Sequence, residues 1–459
     1  MIFRNPAGAP ELACDACGCR WFDRMTGRCY ECGTPMGAEG QAEYRQALQE
    51  FAAQRAAGPA RGPGSAGKAM KIEIVGAGPA GLYFAALMKR HDPAHEITIH
   101  ERNPRDATWG FGVVFSDRAL EFLRADDEEL YQYLTPHLET WPEITIVHDH
   151  TRVPVAGNGF SSIGRLELLT LLYAYVERLG VKLRFGAEVE SLEQLGPADL
   201  VVGANGAFSA LRAQHAQAFG TTVDWRPNRF IWWGTSKPFN SLTLTFRKTE
   251  AGVFCAHHYR YRPDRSTFLV EVTQETWKRA GFDRMGTEEA MRRCEEVFAP
   301  DLEGHPIISN SSQWRSFPAV WNERWSFGKV VLIGDALRTA HFSIGSGTRL
   351  AMEDAVALFK AFRDCGGDAV PQALERFQAA RLPPMKKIWD AANASIRWYE
   401  EMDQRVAALT PVEFAYSYMT RTGRVDHAEV RRRDPALAAA YERLHPELAA
   451  PEAPHAGRR

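Results

Sequence analysis

The chain has 459 residues, 45% hydrophobic and 24% charged, with a net charge of −2. That composition supports a sizeable core and two or three domains, and so even a charge balance speaks against nucleic acid or a membrane surface as partner. No apolar run is long enough to span a bilayer and the first residues lack a signal-peptide pattern, so a cytoplasmic location is the expectation.

Five of the eight cysteines crowd the first 32 residues. Cys14 and Cys17 form one C-x2-C pair and Cys29 and Cys32 another, the spacing of a zinc ribbon with four thiolates around the metal. Cys19 is a spare that could replace Cys17, and a rubredoxin-like iron site is the rival reading. Residues 1–38 are therefore expected to be a zinc-ribbon-like unit, too small to fold without its metal. Residues 39–69 read as a helix followed by a flexible linker: Tyr44, Leu48 and Phe51 repeat at helical spacing, and AGPARGPGSAGKA at 57–69 is rich in glycine, proline and alanine. Docking of a protein partner is a candidate role for this appendage.

A self-sufficient unit is expected from Met70. Residues 71–75 (KIEIV) predict a strand, 80–91 a helix and 96–100 (EITIH) a second strand. Between the first two lies G-A-G-P-A-G, Gly76 to Gly81. The first glycine permits a tight turn, Gly78 lets backbone approach a pyrophosphate, and Gly81 allows the helix to pack close on the strand, with Ala80 in its first turn. Glu101, beside Arg102, ends the second strand 20 residues after Gly81, where a carboxylate can bind ribose hydroxyls. This constellation predicts a dinucleotide site without separating FAD from NAD.

Helix is expected over 165–179, and strand over 181–185 and 199–203. Residues 228–275 then change character to successive β-rich runs, which suits an antiparallel sheet. Alternation puts His257 and His258 on opposite faces of that sheet, and likewise Trp232 and Trp233. A buried strand returns at 329–333 (KVVLI), and helix dominates from Thr348. The expected fold is α/β: a Rossmann-type dinucleotide-binding domain interrupted by an antiparallel β-sheet domain. The division is 70–220 for the first part of the dinucleotide-binding domain, 221–325 for the β-rich domain, 326–400 for the second part, and 401–459 for a C-terminal helical region.

Two later segments, VVGANGAFSALR (Val201–Arg212) and VVLIGDA followed by TAHFSIGSGTRLAMEDA (Val330–Ala355), bring the sequence to resemble the group A FAD-dependent aromatic hydroxylases. The resemblance implies a Rossmann-type FAD-binding domain with an antiparallel β-sheet substrate domain, with Asp335 on the FAD ribityl chain and Gly345, Ser346, Gly347 and Thr348 facing the pyrimidine side of the flavin. It sets Arg165 against the FAD and Asn205 in the mid-chain cofactor motif. Asn205 stands where the family usually has Asp, and Leu337–Arg338 where it has Ala-His.

WGFGVVFS (Trp109–Ser116), GFSSIGR (Gly159–Arg165), NRFIWWGTSKPF (Asn228–Phe239), AHFSIGSGT (Ala340–Thr348) and FAYSYMTR (Phe414–Arg421) narrow the resemblance. They are similar to the salicylyl-CoA 5-hydroxylase and 2-aminobenzoyl-CoA monooxygenase group, with the violacein-pathway tryptophan hydroxylase as a relative. This implies a monooxygenase that uses NADH or NADPH and dioxygen to hydroxylate an activated aromatic ring, of the salicylyl-CoA or 2-aminobenzoyl-CoA thioester type, through a flavin hydroperoxide. Hydroxylation of a free aromatic acid or an indole is the alternative, and a non-catalytic flavin-binding protein a further one. His341 and His257 are the candidate catalytic side chains, each with a structural role as its alternative. Arg431–Arg433 either contacts CoA phosphates or forms a solvated charged face.

Overall fold

The computed structural model describes residues 2–4, 10–17, 28–29, 32–56, 69–365 and 369–448. Cys19 and nearly all of the expected 57–69 linker lie outside the described residues. Among these residues no helix is long and apolar enough to cross a membrane.

The strand–turn–helix opening is realised as Lys71–Val75 leading into the helix Pro79–His91. Continuous apolar strands are buried on both faces, the signature of a parallel sheet covered by helices. The six-stranded sheet runs Lys182–Phe185, Glu96–Glu101, Lys71–Val75, Leu200–Gly203, Val330–Leu332, Ser326–Phe327, parallel except for the last pair. The chain winds outward from Lys71–Val75 in one direction, then returns to its other side at Leu200–Gly203. The order reverses there, which opens a crevice at the carboxyl ends of the two strands. Helices Pro79–His91, Arg165–Arg178 and Gly347–Cys365 bury Tyr83, Phe84, Leu172, Val176, Met352 and Leu358 against it.

The β-rich segment forms most of an eight-stranded sheet built around Thr221–Thr235, Leu242–Thr249, Gly252–Arg262 and Arg265–Val272. Ile144–His148 and Thr151–Val155, which precede residue 221, extend its edge; Ile144–His148 joins Leu242–Thr249 in parallel, so the sheet is mixed where an antiparallel one was expected. Strand alternation gives it two buried faces. Val253, Cys255 and Tyr259 face the C-terminal helices with Phe246, Trp398, Tyr399 and Phe414. Phe254, Ala256, Phe268 and Val270 face the other way, onto helices Gln274–Arg279 and Thr287–Val297. A third, three-stranded sheet (Gly112–Ser116, Phe160–Gly164, Glu139–Trp141) closes the gap between the two large ones.

One 31-residue helix, Val370–Glu400, ties the molecule together. Its Leu374, Phe377 and Met385 belong to the core of the parallel sheet, while Trp398 and Tyr399 belong to the core under the large sheet. The expected boundary at residue 400 therefore falls at the end of a helix that serves both cores.

Candidate active site

The three glycines of the turn do different work. Gly76 has φ of +107°, and a Cβ there would lie 2.4 Å from the Ala204 carbonyl oxygen; at Gly81 it would lie 2.4 Å from the Gly76 carbonyl oxygen. Both positions are dictated by packing within the protein. At Gly78 a Cβ would meet only the Ala204 oxygen, at an ordinary 3.9 Å. The protein itself leaves that space open, and Gly78, Ala80, Ala204 and Gly206 line a groove of about 100 Å3 there. Glu101 is drawn in beside the turn: its carboxylate accepts from the Ala77 N–H at 3.0 Å and from the Asn103 N–H at 2.9 Å. Arg102 is exposed.

The groove continues past Asp335 and Arg165 to Gly347 and Thr348, and these four residues also line a second cavity of about 290 Å3. Asp335 lines both spaces and is exposed to them, while desolvation by the surrounding protein raises its carboxyl above the usual range, with Arg338 and Arg165 opposing. No hydrogen bond engages that carboxylate among the described residues, and the buried Asn205 Oδ1 has no partner either. A cradle kept clear at Gly78, a carboxylate facing a channel and an orphaned amide oxygen fit a dinucleotide with hydroxyl-bearing linkage. The helix Gly347–Cys365 starts at the channel's far end, so its unpaired N–H groups and positive dipole end meet whatever lies beside Gly345–Thr348.

Arg338, one of the departures from the family pattern, is fully buried and forks onto Asp354, with Nη1 and Nη2 donating at 2.6 and 2.8 Å. Arg381 donates to Asp354 at 3.0 Å and pairs with Glu353 at 2.7 Å. Asp354 also accepts from the Gly334 N–H at 3.0 Å, so this buried network fixes the turn that carries Asp335. Leu337 is a core residue.

The larger cavity lies between the loop Gly345–Thr348 and the large sheet. Phe230, Trp232, Leu244, Leu269, Phe317 and Phe342 make most of its wall. Trp232 faces it while Trp233 is packed in the core behind the sheet. His257 lines it too, whereas His258 points into the opposite core, where burial holds its imidazole well below the ordinary range. His257 Nε2 lies 3.4 Å from the buried Glu271 carboxylate, an ion-pair distance without a formed hydrogen bond. Burial pushes Glu271 up, but His257 and the Asn228 amide (2.8 Å) bring it below the usual carboxylate range. Arg421 completes the polar side of the cavity; its guanidinium donates to Ser395 Oγ and to the carbonyls of Tyr418 and Ser343.

His341 is not among the cavity-lining residues. It is buried, and its Nδ1 accepts from the Ser343 N–H (3.3 Å) and lies 2.8 Å from the Ser343 hydroxyl, capping the turn before Gly345. Burial pulls its pKa down to about 4. Arg431–Arg433 is not a free phosphate site: Arg431 pairs with Glu442, and Arg432 and Arg433 with Glu429. Glu271, Asn228, Tyr259 and Arg421 were not singled out from sequence. A lone charge in the apolar strand STFLVEV was the available signal for Glu271.

At the N-terminus, the sulfurs of Cys14, Cys17, Cys29 and Cys32 all lie within 4.8 Å of one another, with Sγ–Sγ distances of 3.4 Å (Cys14–Cys32) and 3.5 Å (Cys17–Cys29). These are far too long for disulfides and close to the roughly 3.8 Å edge of a tetrahedron with 2.3 Å metal–sulfur bonds.

A family model described as "FAD binding domain" matches residues 197–392. Salicyloyl-CoA 5-hydroxylase of a Streptomyces species is 39% identical over 362 residues, covering 77% of this chain and 70% of that protein. Protodeoxyviolaceinate monooxygenase of Chromobacterium violaceum is 35% identical, covering 77% of this chain and 94% of its own. 3-Hydroxy-4-methyl-anthranilyl-[aryl-carrier protein] 5-monooxygenase of Streptosporangium sibiricum is 36% identical, covering 72% and 90%. Among solved structures, the tetrameric form of 2-methyl-3-hydroxypyridine-5-carboxylic acid oxygenase has the same fold, with a TM-score of 0.60 at 16% identity, covering 80% of this chain and 96% of that one. With its glycine turn, its Asp335 channel and an aromatic cavity at the flavin end, the chain belongs to the FAD-dependent aromatic monooxygenases.

Proposed function

We propose that this enzyme hydroxylates an aromatic ring that bears a hydroxyl or amino group and is held as a thioester, of the salicylyl-CoA or 2-aminobenzoyl-CoA type, with NADH or NADPH as reductant. The observation that carries the reading is the cavity where the Gly345–Thr348 loop meets an aromatic wall containing His257, which is backed by the buried Glu271. Two relatives whose names specify acyl thioesters, one of CoA and one of a carrier protein, support the thioester.

FAD, when bound, would supply the redox chemistry that links nicotinamide and dioxygen. Gly78 and Asp335 would hold its pyrophosphate and ribityl parts, and the N-terminus of Gly347–Cys365 would stabilise negative charge on the flavin ring. Phe230, Trp232 and Phe342 wall the ring and keep water out. His257 accepts the proton of the ring substituent at Nδ1, the nitrogen left when Nε2 faces Glu271, and the ionised Glu271 stabilises the imidazolium. A more electron-rich ring is the better nucleophile toward the transferred oxygen.

Arg421 favours a second reading, because a cation on the cavity wall is also a partner for the carboxylate of a free aromatic acid. A panel of salicylyl-CoA, 2-aminobenzoyl-CoA, salicylate and tryptophan separates the two. The thioesters are expected to accelerate NAD(P)H oxidation and to yield hydroxylated product; stimulation by the free acids alone would overturn the thioester reading. At the N-terminus, Cys14, Cys17, Cys29 and Cys32 are proposed to hold a structural zinc in a ribbon-like unit, supported by their sulfur geometry.

A further inference from the structure

The large sheet carries a second concave site outside the catalytic cavity. Phe208 and Trp225 are 56% and 57% exposed, and their rings lie 6.2 Å apart at 27°. Together with Arg229, Arg315 and Ser316 they line an open groove of about 560 Å3, within the ordinary range for small-molecule sites.

The groove is built, not incidental. Phe208 sits on the turn after Leu200–Gly203, and the buried Arg212 clamps that turn by donating to the carbonyls of Ala207 and Ala336. Ser209 caps the following helix by accepting from the Arg212 N–H. An aromatic side chain is thus held in solvent by a rigid support. Trp225 precedes the irregularity at which the pairing of Thr221–Thr235 with Arg315–Asn322 shifts register, and Arg229 follows it. Both therefore reach the same edge.

Its charge is unspent. Arg226, between them in sequence, is neutralised by Glu400 (2.6 Å) and Asp224 (2.6 Å). Arg229 and Arg315 have no carboxylate partner among the described residues. Arg229 is partly buried, its guanidinium rests 5.1 Å over the Trp277 ring, and its Nε has no hydrogen-bond partner. Two stacked aromatic faces beside two unpaired guanidiniums match a flat heterocyclic base joined to phosphates: the rings take the base and the forked donors take the phosphate oxygens. Arg229 and Ser316 are direct chain neighbours of Phe230 and Phe317, which line the catalytic cavity, and the Phe208 turn begins at Gly206 in the cofactor groove.

We propose that this groove binds the adenosine-phosphate portion of a co-substrate, outside the catalytic cavity. That chemistry is shared by a pyridine dinucleotide and by coenzyme A, so the site rests on the reading that at least one of them is a co-substrate here. ADP, adenosine 2′,5′-bisphosphate and adenosine 3′,5′-bisphosphate would be titrated against the FAD-loaded enzyme, with its own dinucleotide site filled, by calorimetry and tryptophan fluorescence. The same titrations would be run on Trp225→Ala and Arg315→Ala, both exposed positions. Binding of at least one nucleotide, weakened about tenfold or more in both variants with flavin content unchanged, is expected. Preference for the 3′-phosphate assigns the site to coenzyme A, and preference for ADP or the 2′-phosphate assigns it to the nicotinamide dinucleotide. Failure of all three to bind, or binding equal in wild type and variants, overturns the proposal. Because binding is read without turnover, it is separable from the substrate panel: an enzyme stimulated by thioesters yet blind to these nucleotides loses this site and keeps the proposed function.

Discussion

At the scale of single residues, the histidines divide by where burial leaves them. His257 keeps one nitrogen for the cavity and the other for Glu271, while His341 is sealed behind Phe342 as a turn cap. The pKa of His341 falls from 6.5 to about 4 because burial disfavours the imidazolium. Since the folded value lies below the unfolded one, the unfolded chain takes up the proton first. The contribution of neutral His341 is full above about pH 6.5 and is lost as pH falls toward 4. At about 1.4 kcal/mol per pKa unit, up to about 2 kcal/mol is lost by pH 5. His258 is depressed in the same direction and shares this acid sensitivity. His341→Asn, which keeps an acceptor for the Ser343 N–H, should flatten the dependence of stability between pH 7 and 5 by roughly that amount. Denaturant melts at both pH values check this; equal slopes in wild type and variant would remove His341 from the account.

At the scale of elements, the glycine turn separates binding from folding. Gly78→Ala places a methyl in the open groove, so it should leave the melting temperature of the flavin-free protein nearly unchanged and weaken FAD at least tenfold. Gly81→Ala drives a methyl into the Gly76 carbonyl at 2.4 Å and should destabilise the fold itself by about 1–3 kcal/mol, with or without cofactor. Flavin fluorescence and thermal melts on both variants distinguish these outcomes; a Gly78→Ala protein that holds FAD normally would move the pyrophosphate elsewhere. This turn was legible in the sequence because its requirements lie within six consecutive residues. The same holds for strands such as Lys71–Val75, whose burial is continuous. The pairing of His257 with Glu271 was not, because it depends on register: Cys255 sits opposite Glu271 and His257 opposite Leu269, which makes His257 and Glu271 diagonal neighbours on one face. Alternation alone could place one of His257 and His258 on the cavity, but not say which. Arg338 stood out as a substitution in the motif, and only the packing of two helices shows Asp354 and Arg381 around it.

At the scale of the whole molecule, the described residues of the appendage stand outside the hydrophobic cores of the catalytic body. Among the described residues, none before Met70 belongs to any of the three hydrophobic clusters. A described contact between them is the Arg124 guanidinium 4.4 Å over the Tyr44 ring, an interaction worth about 0.5–1 kcal/mol. A chain starting at Met70 should therefore keep its FAD, lose little in melting temperature and turn over a small thioester as the full chain does. It should also lose the proposed zinc, which metal analysis of the full-length protein should find at about one per chain, whereas a chelator should unfold the cysteine unit of the intact chain and leave flavin absorbance untouched. Loss of flavin on truncation would mean that residues 1–69 complete the fold. Full retention of kinetics and oligomeric state would leave protein docking by that unit without support. The interesting outcome lies between these: flavin and small-substrate turnover retained, but activity lost on a carrier-bound ring. That result would give the cysteine unit a delivery role on a body that already contains its whole catalytic site.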